Sequence, residues 1–294
     1  MMKITDGYMP FLGYQTYYRI VGECVDDRKP ILLLHGGPGS THNYFEVLDR
    51  LATEGRQVIS YDQIGCGNSY VEGHPELWNS KVWMDELMSI RNYLHLDHVH
   101  ILGQSWGGML LIEYLITQQP QGVCSAILSS TLPDNELWCR EQHRMIRMMS
   151  EADQKAIARA EATGNFTEAE YLKANERFML LHCAGTVTED SPECLRRPKK
   201  AGTESYIVGW GPNEYNATGT LRTYHYTERL AEIHVPCMIT SGTNDLCTPL
   251  IAKTMYDRIP DARWELFEGA RHMSFVEQND KYCQLLSEWL DTHD

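Results

Sequence analysis

Short apolar runs closed by glycine-rich loops fill the first third of the chain. "PILLLHGGPG" (30–39), "QVISYDQIGCGNS" (57–69), "VHILGQSWGG" (99–108) and "GVCSAILSS" (122–130) each read as a strand running into a turn. The Val, Ile and Leu positions are consecutive rather than alternating. A strand buried on both faces needs that pattern, and parallel sheets are built from such strands. Helical spacing lies between the runs, in "VWMDELMSIRNYL" (82–94) and in "MLLIEYLITQQP", which ends near Pro120. Strands alternating with helices predict a doubly wound, mostly parallel α/β sheet.

The pattern changes after Pro133. Long charged stretches with helical character follow, such as "SEADQKAIARAEATG" and "NFTEAEYLKANERFMLLH", without a clear buried-strand run. Strand character returns at "VPCMITSGTND" (235–245) and "ARWELFEGARH" (262–272), and an amphipathic helix, "YCQLLSEWLDTH", follows. The expected organisation is therefore a sheet core in two parts, 1–133 and 231–294, interrupted by a mainly helical cap at 134–230.

Composition narrows the possible functions. With 294 residues and 43% hydrophobic positions, the chain can bury a large core. A formal charge of -14 argues against a nucleic-acid binder, which would need a basic face for phosphates. The nine cysteines are irregularly spaced with no C-x-x-C pair, which resembles neither a disulfide framework nor a zinc site. Cys237 in "VPCMIT" reads as a small buried hydrophobe. The first twenty residues lack the apolar stretch of a signal peptide, and no apolar run is long enough to span a bilayer. The expectation is a cytoplasmic protein that needs no metal or organic cofactor, without a membrane partner, as a monomer or weak homo-oligomer.

Candidate chemistry centres on Ser105, held between glycines where an apolar strand turns into a helix. Taken alone, the pattern allows a nucleophile or a tight turn. A serine nucleophile needs an adjacent base oriented by a carboxylate, in the chain order Ser, acid, His for this architecture. Asp245 follows the strand "VPCMITSG" and His272 follows "LFEGAR", both at the carboxyl edge where open α/β sheets place ligands. The order and slots predict a Ser105–Asp245–His272 triad. An oxyanion hole should come from the backbone N–H groups of Trp106, directly after the nucleophile, and Gly37, in the "HGGPG" loop (35–39). Gly36 beside it should lie against the substrate.

With these residues in place, "HGGPG", "YDQIGCGNS", "GQSWGG", "SGTNDLCTP" and "GARHMSF" together resemble the proline iminopeptidase family of serine peptidases, which has the α/β-hydrolase fold. The resemblance runs from about residue 31 to 275. It implies an aminopeptidase that releases an N-terminal residue, preferably proline, from short peptides with a free N-terminus. It also implies that cap glutamates hold the substrate amine. "GWGPNEYNATGTL" (209–221) resembles that cap element and makes Glu214 the candidate. Some family members carry a second acid directly after the triad acid, where this chain has Leu246. Glu204 is the candidate to supply a replacement carboxylate. Trp210 and Tyr215 could line a pocket for a proline ring or belong to the cap core. Two other readings stay open: an esterase, amino-acid amidase or lactonase using the same elbow, and a non-catalytic binding member of the fold.

Overall fold

The computed structural model describes residues 2–294. Eight strands form one sheet: β1 (Ile4–Phe11), β2 (Tyr14–Val21), β3 (Ile31–Leu34), β4 (Val58–Tyr61), β5 (Val99–Gln104), β6 (Val123–Ser129), β7 (Cys237–Gly242) and β8 (Ala262–Phe267). Their spatial order is β1-β2-β4-β3-β5-β6-β7-β8. Only β1 with β2, and β2 with β4, pair antiparallel; the other pairs are parallel.

Consecutive apolar residues explain the layering. In β3, Leu32 and Leu34 join one core with Ile59 of β4 and Ile101 of β5, while Ile31 and Leu33 join a second core with Val58 and Leu102. Successive side chains point to opposite faces, so each run has to be apolar throughout. Helices α1 (Ser80–Tyr93) and α2 (Trp106–Thr117) cover the first face. The last helix and a 3-10 segment at His42–Glu54 cover the second. Each buried Leu or Ile contributes about 1.5–3 kcal/mol over the exposed state, which makes this central sheet the rigid part of the molecule.

The sequence pattern gives no clear sign of the N-terminal hairpin of β1 and β2. Its two-residue turn, Leu12-Gly13, has φ values of 49° and 83°. Two positive φ values suit the twist of a tight hairpin, but leucine is an unusual residue there, so the sequence signal is weak.

Between β6 and β7 the chain passes through α3 (Asn135–Ile146), α4 (Glu151–Thr163), α5 (Ala169–His182), the short α6 (Glu193–Arg196) and α7 (Thr203–Gly209). The two ends of this interval are tied together. Asp134 bridges His225, Asn135 N donates to Tyr224 O at 3.1 Å, and Tyr226 N donates to Pro133 O at 2.9 Å. The chain then adds α8 (Pro249–Tyr256), the short α9 (Ser274–Glu277) and α10 (Asn279–Thr292). Among the described residues no helix is long and apolar enough to cross a membrane.

Candidate active site

Ser105 alone connects β5 to α2, with φ 55° and ψ −121°. A non-glycine residue there is strained, and the surroundings must hold it. Ser105 N donates to Ser129 O at 3.0 Å, while Thr131 Oγ1 and Gly108 N donate to Ser105 O at 2.6 and 2.9 Å. The flanking glycines are required by space. A Cβ on Gly107 would sit 2.0 Å from Leu34 O, and one on Gly103 would sit 2.3 Å from Gly107 O.

Asp245 and His272 follow β7 and β8 at the same sheet edge. His272 Nδ1 and Asp245 Oδ1 are 2.7 Å apart. The buried Asp245 carboxylate also accepts from Ser130 Oγ (2.6 Å), Gly242 N (3.1 Å) and Cys247 N (2.8 Å). Four donors suit an ionised carboxylate, which in turn keeps the proton on His272 Nδ1 and leaves Nε2 as the acceptor. Ser105 and His272 line the same cavity. No hydrogen bond joins them among the described residues.

The expected oxyanion donors lie on either side of this serine. As the first residue of α2, Trp106 has a backbone N–H without an intrahelical partner. Gly37 N has no backbone partner among the described residues, and its φ of 115° suits only glycine. Gly36 is committed elsewhere through its N–H, which donates to Tyr44 Oη at 2.5 Å. It lines the cavity all the same, and a Cβ there would press on Ser105 at 3.0 Å.

The cavity, about 410 Å³, is lined by Ser105, His272, Gly36, Gly37 and cap residues including Tyr206 and Glu214. Glu214 is the single carboxylate on its wall among the described residues. Burial pushes its acid up from the ordinary range, partly offset by the Tyr206 hydroxyl donating to Oε1 at 2.8 Å and by His272. Burial, with the nearby Glu214 charge, keeps the Tyr206 phenol protonated. Trp138 of α3 joins the two halves of the site. Its Nε1 donates to Glu214 O at 2.7 Å, and its ring meets His272 edge-on at 6.0 Å.

Three candidate substrate contacts stand apart from this cavity. Glu204 lies outside the cavity and accepts from Gly73 N at 2.7 Å. Trp210 and Tyr215, 3% and 0% exposed, belong to the cap core rather than the cavity wall. Their polar atoms are used internally, Trp210 Nε1 on Asn213 O and Tyr215 Oη on Tyr171 and Asn175. Leu246 is fully buried, and Gln142 Nε2 donates to its carbonyl at 2.8 Å. Isolated aromatics in helical stretches carry no local signature, so the placement of Tyr206, Tyr44 and Trp138 is not legible in the sequence.

Two groups of potential metal ligands occur among the described residues, His35–Asp62–Cys66 and Asp134–Glu136–His225. Both are already engaged internally: Asp62 accepts from His42, His35 Nε2 accepts from Gln63 N, and His225 pairs with Asp134.

Comparisons with known proteins identify the family. The profile of the alpha/beta hydrolase fold family matches residues 29–278. A Clostridioides difficile protein named proline iminopeptidase is 64% identical over 293 residues, covering 100% of both chains. One of the same name from Clostridium botulinum is 57% identical, again with 100% of both chains covered. The crystal structure of the Mycobacterium smegmatis proline iminopeptidase superposes with a TM-score of 0.86 at 29% identity, covering 98% of each chain. With an elbow serine, a buried Asp–His pair at the same sheet edge and full-length identity of this order, the chain belongs to the proline iminopeptidase family of the α/β-hydrolase fold.

Proposed function

We propose that this protein is a serine aminopeptidase that releases the N-terminal residue, preferably proline, from short peptides. The supporting observation is the shared cavity, which Ser105 and His272 line together with a single carboxylate, that of half-buried Glu214. An ammonium is the natural partner for that carboxylate. Anchoring it there places the first peptide carbonyl at the serine and excludes substrates with a blocked amine.

The chemistry proceeds by acyl transfer. His272 Nε2 takes the Ser105 proton as Oγ attacks the carbonyl carbon. Asp245 orients the imidazole and stabilises the imidazolium. The N–H groups of Gly37 and Trp106 hold the oxyanion, each worth about 3–4 kcal/mol of barrier. Collapse breaks the C–N bond, and His272 gives its proton to the leaving amine. Water, deprotonated by His272, then attacks the acyl-enzyme and returns Ser105. Residues 134–230 act as the cap domain that carries amine recognition, on a core formed by 1–133 and 231–294.

Comparing prolyl β-naphthylamide with its N-acetylated form tests the reading. Cleavage of the free-amine substrate at least a hundredfold faster is expected. Equal rates would overturn the aminopeptidase assignment and favour an esterase or amidase.

A further inference from the structure

Gln63 stands just after β4, and the neighbouring strands in order are β3 and β5. Two strand spacings, about 10 Å, therefore separate its strand from the one that delivers Ser105. The Gln63 side chain crosses that interval. Its Nε2 donates to His35 O at 2.9 Å, and its Oε1 accepts from Trp106 Nε1 at 2.8 Å. Its backbone N–H donates to His35 Nε2 at 3.0 Å, fixing the His35 ring as well. His35 precedes the Gly37 donor by two residues, and Trp106 carries the other donor. One amide thus grips both sides of the oxyanion hole.

Gln63 is itself held firmly. It is 1% exposed, and the next residue, Ile64, donates its N–H to both oxygens of buried Glu86 at 2.9 and 3.0 Å. Thr16 Oγ1 donates to the same carboxylate at 2.5 Å. A buried amide with both ends engaged is stiff, because releasing either end strands a polar group without water.

We propose that Gln63 is a positioning residue that sets the separation of the Gly37 and Trp106 N–H donors. It touches no substrate. It acts on the developing oxyanion through the two residues it holds, so it should affect the transition state more than the bound ground state. The inference rests on Ser105 acyl-transfer chemistry, but not on the choice of a prolyl substrate.

The test compares wild type, Gln63→Met, Trp106→Phe and the double variant. Four readouts are taken: kcat and KM on prolyl β-naphthylamide, hydrolysis of p-nitrophenyl acetate, affinity for prolinal and affinity for proline. Prolinal adds Ser105 across its aldehyde and so presents an oxyanion, whereas proline does not. In Gln63→Met, kcat, ester hydrolysis and prolinal affinity should fall together, on the order of 10- to 100-fold. KM and proline affinity should move by less than about threefold. Trp106→Phe keeps the backbone donor and cuts the same bond from its other end. Its loss should therefore not multiply with that of Gln63→Met.

Unchanged kcat and prolinal affinity in Gln63→Met would overturn the proposal. So would multiplicative losses, or a parallel fall in proline affinity. If Gln63→Met does not fold, Trp106→Phe carries the test alone, with the same selective loss expected. If the wild type cleaves the ester but not the prolyl amide, the substrate reading fails and the clamp is judged on the ester.

Discussion

The sheet edge and the cap contribute to one cavity by different means. Ser105, Asp245 and His272 stand at the ends of β5, β7 and β8, where strand registry and short turns fix their positions. Glu214 stands in a loop beyond α7, and its position depends on contacts between distant elements: Tyr206 on its carboxylate and Trp138 on its carbonyl. The proposed reacting groups are thus placed by local backbone geometry, and the proposed recognising group by long-range packing. Reaction and recognition should be separable by mutation, since each set can be altered without moving the other.

Removing the proposed nucleophile is the harshest way to break the comparison. Ser105→Ala should lower kcat/KM on prolyl β-naphthylamide by about 10⁵-fold while leaving proline affinity intact by calorimetry. Asp245→Asn comes next. It leaves His272 in the wrong tautomer, so kcat should drop on the order of 10⁴-fold with little change in KM. Steady-state kinetics with both parameters resolved would show this; a pure KM effect would contradict the role.

Effects on the cap side should be smaller and selective. Glu214→Gln should reduce kcat/KM for the free-amine substrate by roughly 10²- to 10³-fold, as expected for losing one partner of a buried charge pair. Hydrolysis of p-nitrophenyl acetate, which lacks an amine, should stay within about threefold. A matching loss on the ester would erase the distinction between the two regions.

Tyr206→Phe sharpens the comparison further. The hydroxyl favours the ionised Glu214, so its removal raises the carboxyl pKa beyond the upward shift that burial already causes. Amine binding needs the charged form. KM should therefore rise as pH falls through the Glu214 titration, and in the variant that rise should begin at higher pH. At neutral pH the increase in KM should be about tenfold. Tyr215→Phe is the mildest change. It removes a buried hydroxyl bonded to Tyr171 and Asn175, so stability should fall by about 1 kcal/mol in urea unfolding while KM holds.

The same division explains which residues could be read from sequence. An elbow announces itself because Gly103 and Gly107 leave room that no side chain could share. An acid and a base after apolar strands announce themselves by slot and order. The "HGGPG" loop signals a backbone donor because Gly37 takes a φ that other residues avoid. No comparable rule applies to the cap. Trp210, Tyr215, Tyr206 and Trp138 are all aromatic residues on or near helices, yet two fill the cap core and two attend Glu214. Glu204 and Glu214 lie ten positions apart, one bonded to Gly73 outside the cavity and the other on the wall of the cavity that Ser105 lines. Periodicity does not separate these cases.

The sequence alone determined the doubly wound sheet, the nucleophile turn and the order of acid and base. These follow from apolar runs and steric limits acting over a few residues. Tertiary structure alone decided which carboxylate lines the Ser105 cavity, which aromatics stand on its wall, and that Gln63 bonds both His35 and Trp106. Those outcomes depend on how elements far apart in the chain pack, and the local pattern carries no record of that packing.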